Sequence, residues 1–203
     1  MQNLINVIIG TIVQIILVGF IPFIWWSLTK RKKEKFSKWL GLYAIDKKNK
    51  KKILKKVFGT FILMLLLSIY LLFLTKDVEV ASSQFQGLGV KGLLSAIIYA
   101  FGQTGFTEEL FFRGFLLKRV QSKFGFKIGN IVQSILFSLL HCAMFFTLTN
   151  FVTVILIGLF TYLVAYLMGS INEKDAKGSI VPSWLIHGLA NIFASSLQLF
   201  SII

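Results

Sequence analysis

Long apolar runs along most of the 203 residues constrain this sequence more than any other feature. A run of about 18 apolar residues or more can cross the hydrocarbon core of a bilayer as one helix. Five runs meet this requirement, and they lie at 4–29, 57–75, 128–147, 150–169 and 183–203. Only 15% of the residues are charged and the mean hydropathy is +0.77, which a water-soluble fold could not accommodate. The sequence therefore predicts an all-α fold, a polytopic membrane helical bundle.

A sixth apolar stretch, residues 92–121, is interrupted near its middle. The interruption consists of two glycines and two adjacent carboxylates, namely Gly102, Gly105, Glu108 and Glu109. We interpret the stretch as a short spanning helix, 92–106, that runs into a partly embedded helix, 107–121. The bundle then has about six transmembrane helices, and one of them is broken or partly embedded and carries the Glu-Glu motif.

The distribution of Lys and Arg predicts the orientation of the bundle. Segment 30–56 holds thirteen of the 22 Lys and Arg residues and is therefore predicted to be cytoplasmic. The remaining loops alternate, which places loop 76–91 and both termini outside and loop 170–181 inside. Apolar residues among the lysines predict that loop 30–56 lies along the membrane, and these are Phe36, Trp39, Leu40, Leu42 and Tyr43. The net charge of +14 suits anionic lipid headgroups, so we expect a bilayer and no nucleic acid as partner.

Few ionisable side chains remain at membrane depth once the loops are set aside. They are Glu108, Glu109, Arg113, His141 and His187. A charge at the centre of the bilayer costs at least about 2.5 kcal/mol, so such residues mark functional sites by default. The chain has only two histidines, and both fall within apolar helices.

Helical spacing predicts which of these side chains lie on the same helix face and can contact one another. Glu109 and Arg113 are four residues apart on one face and can pair, whereas Glu108 is turned away by about 100° and can point into the bundle. His187 and Asn191 also share one face. Three helices can therefore bring together one polar cluster, which consists of Glu108, His141, His187 and Asn191.

The cluster admits two kinds of chemistry. A carboxylate beside one or two imidazoles can deprotonate a water, and the second histidine and the asparagine amide can donate hydrogen bonds to a developing oxyanion. Alternatively, Glu108, His141 and His187 form the ligand set of a catalytic zinc that keeps one position for water. The residues leave both versions open, and with them the question of a cofactor.

Three ordered motifs carry a resemblance to a known family. They are Glu108-Glu109-x-x-x-Arg113, Phe137-x-x-x-His141 and His187-x-x-x-Asn191, each in a hydrophobic helix. Together they resemble the CAAX protease and bacteriocin-processing family, also called the CPBP or Abi family, which includes the Ras-converting CAAX prenyl protease. The resemblance covers roughly residues 100–200. It divides the chain into two N-terminal helices with a basic loop, 1–91, and a catalytic helical core, 92–203.

The resemblance implies an intramembrane protease, either metal-dependent or glutamate-dependent, that acts on a peptide or protein near the membrane surface. It implies that Glu108 is the general base, that His141 binds or polarises water, and that His187 and Asn191 stabilise the oxyanion. Glu109, Arg113 and Phe137 match supporting positions. The chain is shorter than the CAAX branch, so prenylated substrates are not carried over. A composition rich in Lys, Ile and Phe is typical of an AT-rich bacterium, where a multi-pass cell-membrane protease would process a bacteriocin or signal-peptide precursor or confer self-immunity.

Three other interpretations compete with the protease. The same fold could act as a non-catalytic immunity or scaffold protein that binds a partner. It could also be a small transporter that uses Glu and His as a proton relay. Finally, Glu108 and Glu109 could simply lie at a helix N-terminus with Thr107 as its cap, where the helix dipole would stabilise them.

Overall fold

The chain is helical throughout the part that the structure describes. The computed structural model covers residues 2–202, and within this range there are helices and turns but no β-strand. Seven helices follow one another here: α1 (Gln2–Thr29), α2 (Phe36–Leu40), α3 (Lys50–Leu74), α4 (93–124), α5 (Phe126–Phe145), α6 (Phe151–Ser170) and α7 (Val181–Leu199). Two short 3₁₀ turns, Ala81–Phe85 and Gly89–Gly92, precede α4. The predicted all-α bundle is confirmed.

Four helices within residues 2–202 are long and apolar enough to cross a membrane. They are α1, α3, α5 and α6, the last continued by a π-helical turn, Ile171–Asp175. Helices α4 and α7 complete the bundle and carry the polar side chains that lower their hydropathy. The predicted total of about six crossings therefore stays a prediction, although a multi-pass membrane bundle is clear.

Helix α4 does not break where the sequence analysis placed an interruption. Two π-helical segments, Tyr99–Phe106 and Leu110–Leu117, alternate with α-helical turns, and the chain continues through Thr107 without leaving helical backbone angles. The predicted boundary at 106/107 is therefore wrong. The proposed Thr107 cap is also wrong, because its hydroxyl donates to the carbonyl of Gln103 inside the helix.

The glycines of α4 do not end the helix. They allow neighbouring helices to pack close to it. A Cβ on Gly102 would lie 3.0 Å from Thr11 Cγ2 of α1, and a Cβ on Gly105 would lie 3.4 Å from the backbone nitrogen of Gly188 in α7. Small residues permit such approaches between membrane helices. Helix α4 is thus held centrally between α1 and α7, which fixes the position of its carboxylates.

The basic loop between α1 and α3 is attached to the protein. Trp39 and Leu40 of α2 are almost fully buried, and they pack against Leu110 and Phe115 of α4. The guanidinium of Arg119 lies 3.9 Å from the centre of the Trp39 ring. Trp39 and Leu40 therefore contact α4 and not lipid, and the position of loop 30–56 along the membrane stays a prediction.

Two sets of loops mark the two ends of the bundle. At one end Lys118 binds Glu173 at 2.8 Å, and the Tyr43 hydroxyl donates to the carbonyl of Lys177. This joins loop 30–56 to the segments around residues 118 and 171–180. At the other end the Gly87 amide donates to the carbonyl of Gln198. The grouping agrees with the predicted alternation of loops, and the cytoplasmic side of loop 30–56 stays a prediction.

Candidate active site

Three helices bring the predicted polar residues to one cavity. The cavity has a volume of about 870 Å³ and lies between α1, α4, α5 and α7. The four residues predicted as catalytic line it, and these are Glu108, His141, His187 and Asn191. They come from positions far apart in the sequence, so their proximity is a property of the tertiary fold.

The two adjacent glutamates face different surroundings. The side chain of Glu108 is 24% exposed and lines the cavity, whereas that of Glu109 is fully buried behind it. Adjacent residues on a helix point in directions about 100° apart, which accounts for the separation. Glu108 is thus accessible to a substrate, and Glu109 is available to hold other residues in place.

Glu109 forms a buried ion pair with Arg113. Arg113 Nη1 donates to Glu109 Oε1 at 2.9 Å, and neither side chain is exposed. The guanidinium also lies 4.3 Å from the centre of the Phe137 ring on α5. Charge pairing and the aromatic face compensate for removing the guanidinium from water. The pair predicted from the spacing of the two residues is therefore present.

His187 connects the two glutamates. Its Nδ1 lies 2.9 Å from Glu109 Oε1, and its Nε2 lies 3.7 Å from Glu108 Oε2. Because a carboxylate only accepts hydrogen bonds, we assign the proton on Nδ1 to the bond with Glu109. Nε2 then faces Glu108 and the cavity. The spacing of the sequence motifs gave no sign that Glu109 would orient this ring.

His141 is oriented by its own helix. Its Nδ1 lies 2.9 Å from the carbonyl of Phe137, which can only accept, so Nδ1 carries the proton and Nε2 is left as an acceptor. The imidazole packs on the Phe137 ring at 4.4 Å between centroids, and the same ring meets His187 edge-on at 6.0 Å. Phe137 therefore contacts both imidazoles and supports their orientation.

The cluster of Glu108, Glu109 and Arg113 contains more negatively charged groups than positively charged ones. Glu108 and Glu109 are two carboxylates, and Arg113 is the one guanidinium beside them. His187 contacts both carboxylates and is the neighbouring group that can carry a second positive charge.

Polar residues that the sequence analysis missed also line the cavity. Asn191 Nδ2 donates to Thr104 Oγ1 at 2.7 Å, and Gln14 of α1 donates to Thr107 Oγ1 at 3.3 Å. Thr104 lies four residues before Glu108, so helical spacing could have indicated it. Gln14 lies in the first apolar run, and its isolated polar side chain was the available signal.

The alternative zinc site is not supported by this geometry. Within residues 2–202, no group of three His, Cys, Asp or Glu side chains is arranged to hold a metal ion. The proposed ligands Glu108, His141 and His187 share the cavity wall, and the Phe137 ring packs against both imidazoles. We therefore assign no step to a metal.

The cavity is bordered by side chains that face the bilayer. Leu17 and Ile21 of α1 line it on one side, and Leu140 and Met144 of α5 line it on the other. All four are exposed and apolar, as expected for residues in contact with lipid. The carboxylate of Glu108 is thus reached from a rim that lipid surrounds.

Comparison with known proteins identifies the family. The sequence model of the type II CAAX prenyl endopeptidase Rce1-like family matches residues 90–193, just over half of the chain. This range contains all of the residues predicted as catalytic or supporting, and it leaves out α1 and α3. No curated protein and no solved structure matches the chain significantly. The match and the helical membrane bundle agree with the resemblance that the three motifs carry, and the chain belongs to the type II CAAX prenyl endopeptidase Rce1-like family, a family of intramembrane proteases.

Proposed function

We propose that this protein is a bacterial intramembrane endopeptidase in which Glu108 activates water to hydrolyse a peptide bond. The observation that carries the proposal is the approach of Glu108 Oε2 to within 3.7 Å of His187 Nε2 in the wall of a cavity of about 870 Å³. A carboxylate and an imidazole that share a cavity can handle the protons of hydrolysis. A purely structural pair would not need a cavity of this size.

The reaction follows from the atoms that face the cavity. Water gives a proton to Glu108 while a second hydrogen bond from it is accepted by Nε2 of His141, and its oxygen attacks the carbonyl carbon. The carbonyl oxygen becomes an oxyanion, to which a doubly protonated His187 donates from Nε2 and Asn191 donates from its amide. The C–N bond then breaks, and Glu108 passes its proton to the leaving amine. The remaining proton of the attacking water passes from the new carboxyl group to the amine, so the products are a carboxylate and an ammonium group.

The surroundings of the cavity favour a membrane-bound substrate. Exposed apolar side chains of α1 and α5 border the cavity, so a segment that lies in the bilayer can reach Glu108 without crossing a polar surface. We propose a bacteriocin or signal-peptide precursor as the substrate, cleaved near the membrane surface, with loop 30–56 in the cytoplasm. Self-immunity would follow from degrading such a peptide.

Mass spectrometry of peptides tests this function. Cells that contain the native protein are compared with cells that contain Glu108→Gln at equal abundance, and released and membrane-retained peptides are sequenced. Glu79→Gln is the matched control, because Glu79 is an exposed carboxylate outside the cavity. We expect peptide termini that depend on Glu108 and are unchanged in the control. Identical profiles for all three proteins would contradict proteolysis and favour the non-catalytic immunity or scaffold protein.

A further inference from the structure

A second, smaller cavity lies behind the two histidines. It has a volume of about 200 Å³ and lies between α3, α5, α6 and α7. His141, His187 and Asn191 line both cavities. The carboxylate of Glu108, in contrast, lines only the larger one.

The small cavity is apolar. Helix α3 contributes Leu65, Ser68 and Leu72, and helix α6 contributes Phe160, Thr161 and Val164. The two hydroxyls are already used, because Ser68 donates to the carbonyl of Leu65 at 2.9 Å and Thr161 donates to that of Ile157 at 2.8 Å. Apart from the histidines, no ionisable side chain lines this cavity among the described residues. Such surroundings select an apolar occupant over a charged one.

The volume limits the size of the occupant. An apolar cavity of about 150 Å³ in a protein interior holds a molecule of benzene, so 200 Å³ holds one side chain of the size of leucine or phenylalanine. A long lipid chain needs more room than this. The larger cavity, at about 870 Å³, has room for the peptide backbone and its neighbours.

We propose that the small cavity is a specificity pocket for the apolar side chain that flanks the cleaved bond, and this proposal rests on the proposed function. The oxyanion forms at His187 and Asn191, which also line the pocket. A residue whose carbonyl lies at these groups therefore extends its side chain into the pocket. Substrates are cleaved beside Leu, Ile, Met or Phe without a need for a prenyl group.

The floor of the pocket belongs to a helix outside the region that the family shares. Leu65, Ser68 and Leu72 lie on one face of α3, whereas the family match begins at residue 90. The catalytic half supplies the chemistry and the α6 side of the pocket, and α3 supplies the side that lies outside the family match. Specificity can thus change through α3 while Glu108 and the histidines stay in place.

Cleavage of a peptide library tests the pocket. The native protein in nanodiscs is incubated with unmodified peptides of random sequence, and mass spectrometry identifies the residues on both sides of each cleaved bond. We expect Leu, Ile, Met or Phe to be enriched on one side. Ser68→Phe fills the pocket and should lower cleavage at these bonds by at least about tenfold relative to bonds flanked by Gly or Ala. Ile69→Phe places the same phenyl ring at a lipid-facing position, 59% exposed, and should keep the native preference.

A preference that Ser68→Phe does not change would overturn the pocket while the proposed function stood. No cleavage at any bond, with Glu108→Gln identical to the native protein, would count against the proposed function instead.

The pocket is then tested without catalysis, by placing a cysteine at position 68 or 69 of Cys142→Ser protein. Methyl, benzyl and dodecyl methanethiosulfonate are compared. We expect the dodecyl reagent to react at least about tenfold more slowly at Ser68→Cys than at Ile69→Cys. The methyl and benzyl reagents should each react at similar rates at the two positions. Equal rates for dodecyl would overturn the size limit.

Discussion

The Oε1 oxygen of Glu109 lies 2.9 Å from Nδ1 of His187, and it joins a residue of α4 to a residue of α7 that is 78 positions away. The same oxygen accepts a hydrogen bond from Arg113. Glu109 does not line the cavity, so it acts on the reaction by orienting the imidazole towards Glu108. One buried carboxylate therefore links the ion pair of α4 to the geometry of the site.

Replacement of Glu109 should destabilise the protein strongly. Glu109→Gln leaves the Arg113 guanidinium buried without its counter-charge, and loss of one partner of a buried pair costs about 3–5 kcal/mol. Unfolding in detergent micelles measures the change. The double variant Glu109→Gln/Arg113→Met removes both charges and should recover most of this loss. Equal stability of the native protein and the single variant would contradict the prediction.

Asn191 and Thr104 should affect the rate to different extents. Asn191→Asp keeps the shape of the side chain but removes its N–H donor, and loss of one oxyanion donor costs about 10²–10³ in kcat. Thr104→Val removes only the hydroxyl that accepts from Asn191, so its loss should be smaller. Steady-state cleavage of an identified peptide separates kcat from KM. A larger defect in Thr104→Val than in Asn191→Asp would show that Asn191 is not an oxyanion donor.

Gly188 should be intolerant of a side chain. A Cβ at this position would lie 2.2 Å from Cδ1 of Phe101, so Gly188→Ala must displace the Phe101 ring or α7, which carries the neighbouring His187. We expect a loss of about 1–3 kcal/mol in stability together with lower activity. Gly59→Ala on α3 is the control, because nothing lies within 4 Å of its added carbon. Phe101→Leu added to Gly188→Ala should restore part of both losses, and an unaffected Gly188→Ala would refute the packing argument.

Cleavage should survive the removal of divalent metal ions. No group of three His, Cys, Asp or Glu side chains is arranged to hold a metal ion within residues 2–202. Activity is measured after treatment with a strong chelator and gel filtration, and again after zinc is added back. An activity that is lost on chelation and restored by zinc would contradict this prediction and would support Glu108, His141 and His187 as metal ligands.

Local periodicity was sufficient for contacts within one helix. The Glu109–Arg113 pair and the shared face of His187 and Asn191 follow from a separation of four residues, and the structure contains both arrangements. Periodicity was misleading at residues 102–107, because glycine lowers helix propensity in general but here permits close contact with α1 and α7. It could not indicate that Trp39 is buried against α4, because an apolar side chain beside lysines is typical of both a membrane surface and a protein surface.

The sequence by itself determined the membrane bundle, the short set of ionisable residues at membrane depth and the family, because hydropathy and helical spacing are properties of the chain alone. Only the tertiary structure decided which atoms meet. In the folded protein His187 contacts Glu109, Asn191 donates a hydrogen bond to Thr104, and a small cavity lies between α3 and the histidines. These contacts link helices that are distant in the sequence, and they depend on the depth and rotation of each helix, which packing sets and local periodicity does not encode.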